Sequence, residues 1–247
     1  MSNIGYYTAA SGVISYQYAM DVTANNLANV NTFGFKASRP SFADLIYTER
    51  NNNNTETQFG HGVRVQKTDM MFEQSQLRET GRPLDFAALD EGFFAILTPE
   101  NNVAYTKDGS FIITKESEAE DAPWLLCNSW GGWVLDYDGN RIEVPFKENA
   151  PMEIDDAALT QMIGVYRFEN PYGMDMVGDN YYIETASSGP AQADEGAGKK
   201  QRWLEASGTN VANEMTKVIE FQRAYQLNVN MVKTHDELEN IINNLRN

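Results

Sequence analysis

Residues 211–245 read VANEMTKVIEFQRAYQLNVNMVKTHDELENIINNL, and this stretch decides the fold. It contains no glycine or proline, and its apolar side chains recur every three or four residues, which is the spacing of one helix face. A stripe of about five heptads is typical of a coiled-coil-like seam. The seam comprises Val211, Met215, Val218, Ile219, Gln222, Tyr225, Val229, Val232, Leu238, Ile241, Ile242 and Leu245. Charged side chains are expected on the opposite, exposed face, namely Glu214, Lys217, Glu220, Arg223, Lys233 and Glu237.

The other end of the chain carries a second stripe at helical spacing, with small residues interleaved. Its members are Ile4, Tyr7, Ala10, Ser11, Ile14 and Tyr18, and Leu27 continues it. Gly5 and Gly12 make this segment a weak helix in isolation. A single apolar stripe would most simply pack as a surface helix, but stripes at both termini favour two helices that pair with each other.

The middle of the chain changes to short β-branched or aromatic runs separated by turn residues. All prolines lie between Pro40 and Pro190, so neither end is broken by one. The runs are residues 63–66, 93–97, 111–113, 133–135 and 181–183, and Asp-Gly turns occur at 108–109 and 138–139. This pattern predicts an antiparallel sandwich or barrel-like domain. A short helix is expected within residues 153–162, an Asn-rich polar loop at 49–57, and a loose linker at 186–200.

The predicted fold class is therefore mixed, with long terminal α-helices paired in a coiled-coil-like manner around a central all-β antiparallel domain. The predicted divisions are an N-terminal assembly helix and signature at 1–35, an extended linker with the Asn-rich loop at 36–63, a β-domain at 64–203, and a C-terminal assembly helix at 204–247.

The composition excludes several classes of partner. The formal net charge is −16, which argues against non-specific binding of nucleic acid or of an anionic membrane. The single cysteine, Cys127, allows no intrachain disulfide and is expected in the core. No apolar run approaches the ~20 residues of a membrane-spanning helix. The N-terminus lacks the basic and apolar regions of a cleaved signal peptide, so export is expected to use another route.

No combination of residues predicts a catalytic, cofactor or metal site. The two histidines, His61 and His235, are far apart and outside any metal-ligand spacing. Residues 136–140 read DYDGN, which resembles the start of a calcium loop, but the glycine is one position early, so a hairpin turn is favoured. The tryptophans at 124, 130 and 133 are expected in the β-domain core, although a sugar-binding platform stays open. A hydrolase with two carboxylates also stays open, because acidic residues are plentiful.

Several motifs carry a resemblance to a known family. Residues 24–29 read ANNLAN and residues 31–36 read NTFGFK, which strongly resemble the signature A-N-N-L/I-A-N followed by T-x-G-F/Y-K of the flagellar rod and hook family. Similar elements are TGRPLD with GFF, AYTKDGSF, LEAS and IEFQRAY, which begin at residues 80, 92, 104, 204 and 219. The resemblance covers both termini and the first half of the middle, while residues 115–200 match weakly. Two departures are Asp90, where the family usually has glycine, and Ser207-Gly208-Thr209, where it has S-N-V.

The resemblance implies a structural subunit of the bacterial flagellar rod, of the distal or proximal type, and not an enzyme. Such subunits polymerise into a helical tube that transmits torque from motor to hook. The implied partners are further copies of the chain, other rod and hook subunits, and the flagellar type III export apparatus; no nucleic acid, membrane insertion or cofactor is expected. The implied location is the basal body, beyond the inner membrane.

The stripes and the signature together give the expected assembly interface, with Gly34 as a turn at positive φ. Its residues are Ile4, Tyr7, Ile14, Tyr18, Asn25, Asn26, Leu27, Asn29, Val211, Met215, Val218, Ile219, Gln222, Arg223, Tyr225, Val229 and Val232. The signature asparagines, with Asn31, are expected to end the first helix and to satisfy backbone groups there. The competing hypothesis is a β-domain that binds carbohydrate or cleaves cell-wall polymer, carried on coiled-coil ends. A secreted effector with coiled-coil ends would leave the asparagine signature unexplained.

Overall fold

A computed structural model describes residues 4–52, 55–115, 123–147, 150–178 and 180–245. They form two compact units. The first, here the helical unit, contains the described residues of 1–28, 38–70 and 209–247. The second, here the β-unit, contains those of 29–37 and 71–208.

The helices are α1 (Ile4–Ala28), α2 (Asp156–Met162) and α3 (Val211–Leu245). The strands of the helical unit are β1 (Ser38–Asp44), β2 (Tyr47–Asn52), β3 (Thr55–Gly60) and β4 (Val63–Met70). The β-unit contains β5 (Leu77–Glu79), β6 (Phe86–Ala88), β7 (Phe93–Leu97), β8 (Val103–Thr106), β9 (Phe111–Lys115), β10 (Trp124–Asn128), β11 (Trp133–Val134), β12 (Phe146–Lys147), β13 (Ala150–Ile154), β14 (Val165–Arg167), β15 (Asp175–Gly178), β16 (Tyr181–Ile183), β17 (Gln192–Ala193), β18 (Lys199–Gln201) and β19 (Trp203–Glu205).

Helices α1 and α3 pack against each other in antiparallel orientation. The rings of Tyr6 and His235 lie 5.8 Å apart, and those of Tyr16 and Phe221 lie 6.1 Å apart. Residue numbers therefore rise along α1 while those of the contacting residues on α3 fall. Two long terminal helices that pack together were predicted; coiled-coil geometry between them stays a prediction.

The face that α1 buries within the subunit differs from the predicted stripe of large side chains. It consists of small or polar residues, namely Ala9, Gly12, Ser15, Ala19, Thr23 and Asn26. A Cβ at Gly12 would lie 2.9 Å from the Asn228 side chain, so the missing side chain allows a close helix approach. In contrast, Tyr7, Ile14 and Tyr18 are 65%, 69% and 49% exposed.

The start of α3 also differs from the sequence-based expectation. The sequence offers Ser207 or Thr209 as a possible cap of this helix. In the structure Asn210 is the capping residue, since its Oδ1 accepts a hydrogen bond from the Asn213 backbone N–H at 3.2 Å. Its carbonyl oxygen accepts from the Glu214 N–H at 2.9 Å, the first bond of the helix. Asparagine is among the preferred residues at this position.

The strands of the helical unit form two antiparallel pairs. Strand β1 pairs with β4, with a register shift between Ser41 and Phe42, and β2 pairs with β3. The stretch expected as an Asn-rich loop thus contains strands β2 and β3, while Asn53 and Asn54 lie outside the described residues. The predicted strand at 63–66 lies in β4.

The β-unit is antiparallel throughout its described pairings, as predicted. Its main sheet has the order β15-β16-β8-β7-β11-β10-β9, with β14 pairing to β7 and to β17. Four predicted strands lie in β7, β9, β11 and β16, and the predicted helix is α2. Asp155 caps α2 by accepting hydrogen bonds from the N–H groups of Ala157 and Ala158. The expected linker at 186–200 contains β17 and the start of β18.

The core of the β-unit is built from phenylalanine and branched aliphatic residues. Its fully buried members include Phe86, Phe94, Ile96, Phe111 and Leu126. Cys127 is buried, as predicted, and burial raises the pKa of its thiol.

The prediction that the tryptophans form the core was wrong, because Trp124 and Trp130 are 44% and 59% exposed. The ammonium group of Lys115 lies over the Trp124 ring, with its Nζ 4.9 Å from the ring centre. Such a cation–π contact stabilises an aromatic ring at the protein surface.

The DYDGN stretch forms a hairpin turn, as predicted. The Asp136 carboxylate accepts hydrogen bonds from the N–H groups of Asp138 and Asn140 at 2.9 and 2.8 Å. Gly139 has a φ of 80°, which a side chain would disfavour.

Replacement of Leu126 by alanine should lower the free energy of unfolding of the β-unit by about 2–5 kcal/mol, because it leaves a cavity in the core. Urea unfolding followed by tryptophan fluorescence measures this change, since all four tryptophans lie in the β-unit. The matched control is Ile112→Ala on neighbouring β9, where the side chain is exposed and a change below about 1 kcal/mol is expected. Equal losses for both variants would contradict the assignment of the core.

Candidate assembly interface

The expected interface residues fall into three groups by burial. The exposed ones are Tyr7, Ile14, Tyr18, Asn25, Val211, Met215, Ile219, Gln222 and Arg223. The half-buried ones are Ile4, Leu27, Asn29, Val218, Tyr225, Val229 and Val232. Asn26 and Gly34 are buried. A subunit that exposes Tyr7, Ile14, Met215 and Ile219 to water has apolar surface that only another molecule can cover.

The sequence-based list missed further exposed apolar residues on α3. Leu227 and Met231 are both exposed, although neither was assigned to the seam. Leu238, Ile241, Ile242 and Leu245 were assigned to the seam, and all four are exposed. They lie beyond the Tyr6–His235 contact, which is the last ring contact between the two helices in the direction of the C-terminus. The spacing of apolar residues in the sequence predicted a single apolar face for α3. In the structure, apolar residues are exposed on more than one face of this helix.

Asn26, from the ANNLAN motif, connects three segments of the helical unit. Its Nδ2 donates to the Ser38 carbonyl oxygen at 2.7 Å and to Glu214 Oε2 at 3.1 Å. Its Oδ1 accepts from the Ser38 N–H at 2.9 Å. The side chain is 1% exposed, so these bonds replace all of its contact with water. One amide thereby joins α1, β1 and α3.

The other signature asparagines take different positions. Asn29 follows the end of α1, and its Oδ1 accepts from the Thr32 hydroxyl at 3.1 Å. Its backbone carbonyl accepts from the Thr32 N–H at 3.2 Å, which closes a turn. Asn25 and Asn31 are exposed.

The prediction that Glu214 faces solvent was wrong. Among the described residues of α3, only Glu214 is buried. Its second carboxylate oxygen, Oε1, accepts from Lys217 Nζ at 2.6 Å, so both oxygens are engaged. The spacing of the sequence assigned Glu214 to the charged face of α3. Its burial results from contact with Asn26, which is distant in sequence, so spacing within α3 could not predict it.

A cluster of buried charges lies in the β-unit. The Lys36 Nζ lies 2.6 Å from Glu205 Oε1, and it also donates to the Glu73 carbonyl oxygen at 2.7 Å. The Ser75 N–H donates to the same Glu205 oxygen at 2.7 Å. Lys107 Nζ lies 3.9 Å from Glu205 Oε2, and the side chains of Lys36, Lys107 and Glu205 are no more than 1% exposed.

Each charged member of this cluster comes from a different motif. Lys36 closes NTFGFK, Lys107 lies in AYTKDGSF, and Glu205 lies in LEAS. Gly34 has a φ of 66°, and a Cβ there would lie 2.5 Å from the Lys107 carbonyl carbon. The motifs therefore meet at one place, where a glycine is required both by its backbone conformation and by its neighbour.

The environment of Lys107 disfavours its charge. Burial lowers the pKa of Lys107 to about 8, although the nearby Glu205 acts in the opposite direction. The ammonium group donates to the Asp90 carbonyl oxygen at 2.5 Å and lies 5.1 Å from the centre of the Phe93 ring. Asp90 has a φ of 54°, the left-handed region that favours glycine, which gives a physical reason for glycine at this position.

The β-unit also has an open cleft of about 720 Å³ near Trp130. Its two acidic residues, Glu100 and Glu184, are both exposed to solvent. Glu184 accepts a hydrogen bond from the Ala191 backbone N–H at 3.2 Å.

Within the described ranges, no helix is both long and apolar enough to cross a lipid bilayer. In the same ranges, no three His, Cys, Asp or Glu side chains come together as potential metal ligands.

Comparison with known proteins decides the family. Residues 7–36 match the family model "Flagella basal body rod protein", and residues 200–245 match "Flagellar basal body rod FlgEFG protein C-terminal". The chain is 37% identical to the flagellar basal-body rod protein FlgG of Borreliella burgdorferi, with 97% of each chain covered. The chain belongs to the flagellar basal-body rod protein family. It is also 32% identical to FlgG of Bacillus subtilis and 31% identical to FlgG of Caulobacter vibrioides, with 97% of this chain and 98% of each relative covered.

Membership of the rod family confirms the resemblance carried by the sequence motifs. The chain is a structural subunit of the flagellar rod, located in the basal body. The two matched regions contain most of α1 and all of α3, together with Lys36 and Glu205 of the buried charge cluster. No comparison supports the carbohydrate-binding or wall-cleaving alternative.

Replacing Asn26 by aspartate should destabilise the helical unit by about 2–4 kcal/mol, because it removes two donated hydrogen bonds and buries a second carboxylate beside Glu214. Thermal loss of helical circular dichroism measures the effect. Gln17→Glu, on the exposed side of α1, adds the same charge and should change the melting temperature little. Adding Glu214→Gln to Asn26→Asp should restore part of the loss, since the new amide can donate to the aspartate; no recovery would contradict the direct contact.

The stability of the β-unit should depend on pH through Lys107. Below about pH 8 the lysine is protonated in both the folded and the unfolded state, so its contribution is constant. Above pH 8 the folded state releases the proton while the unfolded state keeps it up to about 10.5. The unfolded state then binds more protons, so the free energy of unfolding contributed by Lys107 rises with pH across this window.

This dependence is measured as the difference in urea stability between the wild type and Lys107→Met at several pH values from 7 to 10. The difference should shift in favour of the wild type by up to about 1.4 kcal/mol per pH unit, the limit for one proton. The comparison with the variant cancels other titrating groups, such as Lys199, whose pKa burial also lowers to about 8. A difference that stays flat above pH 8 would contradict the assignment.

Proposed function

We propose that this chain polymerises into the tubular rod and there transmits torque from the motor to the hook, without catalytic activity of its own. The observation that carries the proposal is the apolar surface that α1 and α3 leave exposed. Tyr7 and Ile14 represent it on α1, and Met215, Ile219 and Leu227 on α3. Monomeric proteins rarely expose so many large apolar side chains along one pair of elements.

The energetics favour an association between subunits that buries several large apolar side chains at once. Burying one such side chain contributes about 1.5–3 kcal/mol, while association costs on the order of 4–15 kcal/mol in lost freedom of motion. Burial of one or two side chains would not offset the cost of association, whereas burial of half a dozen would. The helix pair offers that number, so a neighbouring subunit must cover an extended part of it.

The position of these residues supports a polymer more than a closed dimer. The exposed apolar residues lie along helices of 25 and 35 residues, which correspond to lengths of roughly 37 and 52 Å. A subunit with apolar surface along such lengths can contact several neighbours. Contacts between different surfaces of successive copies do not close, so they generate a helical assembly.

The buried charge cluster supports the mechanical part of the proposal. Lys36, Lys107 and Glu205 hold the segment that follows α1, the β8–β9 connection and the segment before α3 together within the β-unit. A buried ion pair is costly to break, at about 3–5 kcal/mol when one partner is removed. The ends of the β-unit chain are thus fastened to each other, which suits a subunit under torsional load.

The proposed partners are further copies of this chain, other rod and hook subunits, and the flagellar type III export apparatus with the N-terminal region as its signal. The support for these partners is the family membership.

Deletion of residues 211–247 tests the proposal. The truncated chain should lose polymerisation, measured by sedimentation and electron microscopy, because it lacks α3. Its β-unit should keep the wild-type tryptophan fluorescence, since that unit ends before α3. The control is the double substitution Met176→Ser and Val177→Ser, which removes exposed apolar side chains from the β-unit and should leave polymerisation intact. Filaments of normal length from the truncated chain would refute the proposal.

A further inference from the structure

The main sheet of the β-unit has an open edge at β15. This strand is the last in the strand order, and its described pairings are all to β16. All of its residues are exposed, with Met176 and Val177 at 44% and 64%. The outer side of such a strand presents backbone N–H and C=O groups that can pair with a further strand.

The cleft near Trp130 borders this edge. Val177 and Gly178 line the cleft from β15, and Tyr181 and Ile183 line it from β16. Because Tyr181 and Ile183 are two residues apart on one strand, their side chains lie on the same face of the sheet. The cleft is therefore a depression on that face, beside a strand with no further neighbour among the described strands.

The Trp130 wall of the cleft is fixed from within the β-unit. The buried Asn128 side chain donates from Nδ2 to the Tyr181 hydroxyl, and its Oδ1 accepts from the N–H groups of Trp130 and Gly132 at 3.1 and 2.8 Å. This amide joins the turn that contains Trp130 to β16, while the Trp130 side chain itself is 59% exposed. A cleft that is formed in advance lowers the ordering cost of binding.

The geometry suits an additional strand. Neighbouring strands lie about 4.7–4.9 Å apart, and alternate side chains of a strand point to one face. Every second side chain of a strand added to β15 would thus lie over the cleft, among Val103, Val177 and Ile183. A register shift between Met176 and Gly178 interrupts the pairing of β15 with β16, so the added ladder would be only a few residues long.

Charge selects among the possible occupants. Glu100 and Glu184 line the cleft, and none of its described lining residues is basic. Asp175 places a third exposed acidic residue on β15. A second copy of the chain would bring the same carboxylates to the contact, whereas a segment with lysine or arginine would complement them.

We propose that β15 and the adjoining cleft bind an extended segment of another protein. The segment pairs with β15 as a further strand and places small apolar side chains, flanked by basic ones, in the cleft. In this mode of recognition, backbone hydrogen bonds give affinity and alternate side chains give specificity. The site lies entirely within the β-unit, so it does not depend on polymerisation through α1 and α3.

Binding of short peptides to the full-length chain tests the proposal. The probe is fluorescein-labelled Lys-Thr-Val-Thr-Val-Thr-Lys, whose lysines and valines share one face of an extended strand. The matched control peptide has glutamate in place of both lysines. Fluorescence anisotropy at about 150 mM salt, which screens unspecific attraction to the acidic protein, should show at least about tenfold tighter binding of the lysine peptide.

Two N-methylated forms of the lysine peptide test whether the backbone takes part. One is methylated at the lysines and valines, the other at the threonines. A strand presents the N–H groups of alternate residues to each side, so one of the two forms should bind at least about tenfold more weakly. Binding of both forms at the affinity of the parent peptide would overturn strand addition.

Variants locate the site. Trp130→Ser with Val177→Ser should weaken binding of the lysine peptide at least about tenfold, because it removes two exposed apolar contacts. Ile112→Ser is the matched control, since Ile112 is exposed on β9 at the opposite end of the strand order. Glu100→Gln with Glu184→Gln should reduce the preference for the lysine over the glutamate peptide several-fold. Equal affinities for the wild type and the Trp130 and Val177 variant would overturn the assignment of the site.

Other occupants give different results, and each would overturn the proposal. If the wild type binds neither peptide while oxidation links Val177→Cys copies into dimers, a second copy covers the edge; the wild type, with its buried Cys127, is the control for this reaction. If a chito-oligosaccharide binds and the peptides do not, the cleft is a carbohydrate site. A wild type that binds the lysine peptide but never polymerises would overturn only the proposed function.

Discussion

The hydrogen bonds of Asn26 are the interaction on which the helical unit depends. The amide is buried, so each of its polar atoms must find a partner within the protein, and these partners come from α1, β1 and α3. A buried carboxylate, Glu214, is stabilised in turn by Asn26 and by Lys217. If Asn26 is removed, the buried Glu214 Oε2 and the Ser38 backbone groups lose this partner. A buried polar group without a partner costs more than the lost bond itself contributed.

This polar contact and the small residues of α1 have a common consequence. Ala9, Gly12 and Ser15 lie on the face that α1 buries, and the two helices approach closely at Gly12. Other large apolar residues, such as Tyr7 and Ile14, are left exposed on the outside of the pair. The same packing that completes the subunit internally makes it incomplete as a molecule in water, and that is the physical basis of assembly.

The buried charges of the β-unit play a comparable part at the ends of that unit. Lys36 and Glu205 are separated by most of the chain, yet they lie 2.6 Å apart where the chain enters and leaves the β-unit. Hydrophobic residues could fill the same space, but they would not require one particular pairing of segments. The positive φ of Gly34 and its closeness to Lys107 belong to the same arrangement.

The sequence by itself determined the two terminal helices, the antiparallel middle, the helix α2, the turn at DYDGN and the family, because each is encoded in local spacing or in a contiguous motif. It did not determine which face of α1 is buried, that Glu214 lies inside, that Trp124 and Trp130 lie at the surface, or that three separate motifs supply one charge cluster. Those features were decided by tertiary structure. Burial depends on which distant segment covers a residue, and the periodicity of a single helix or strand contains no information about its partner.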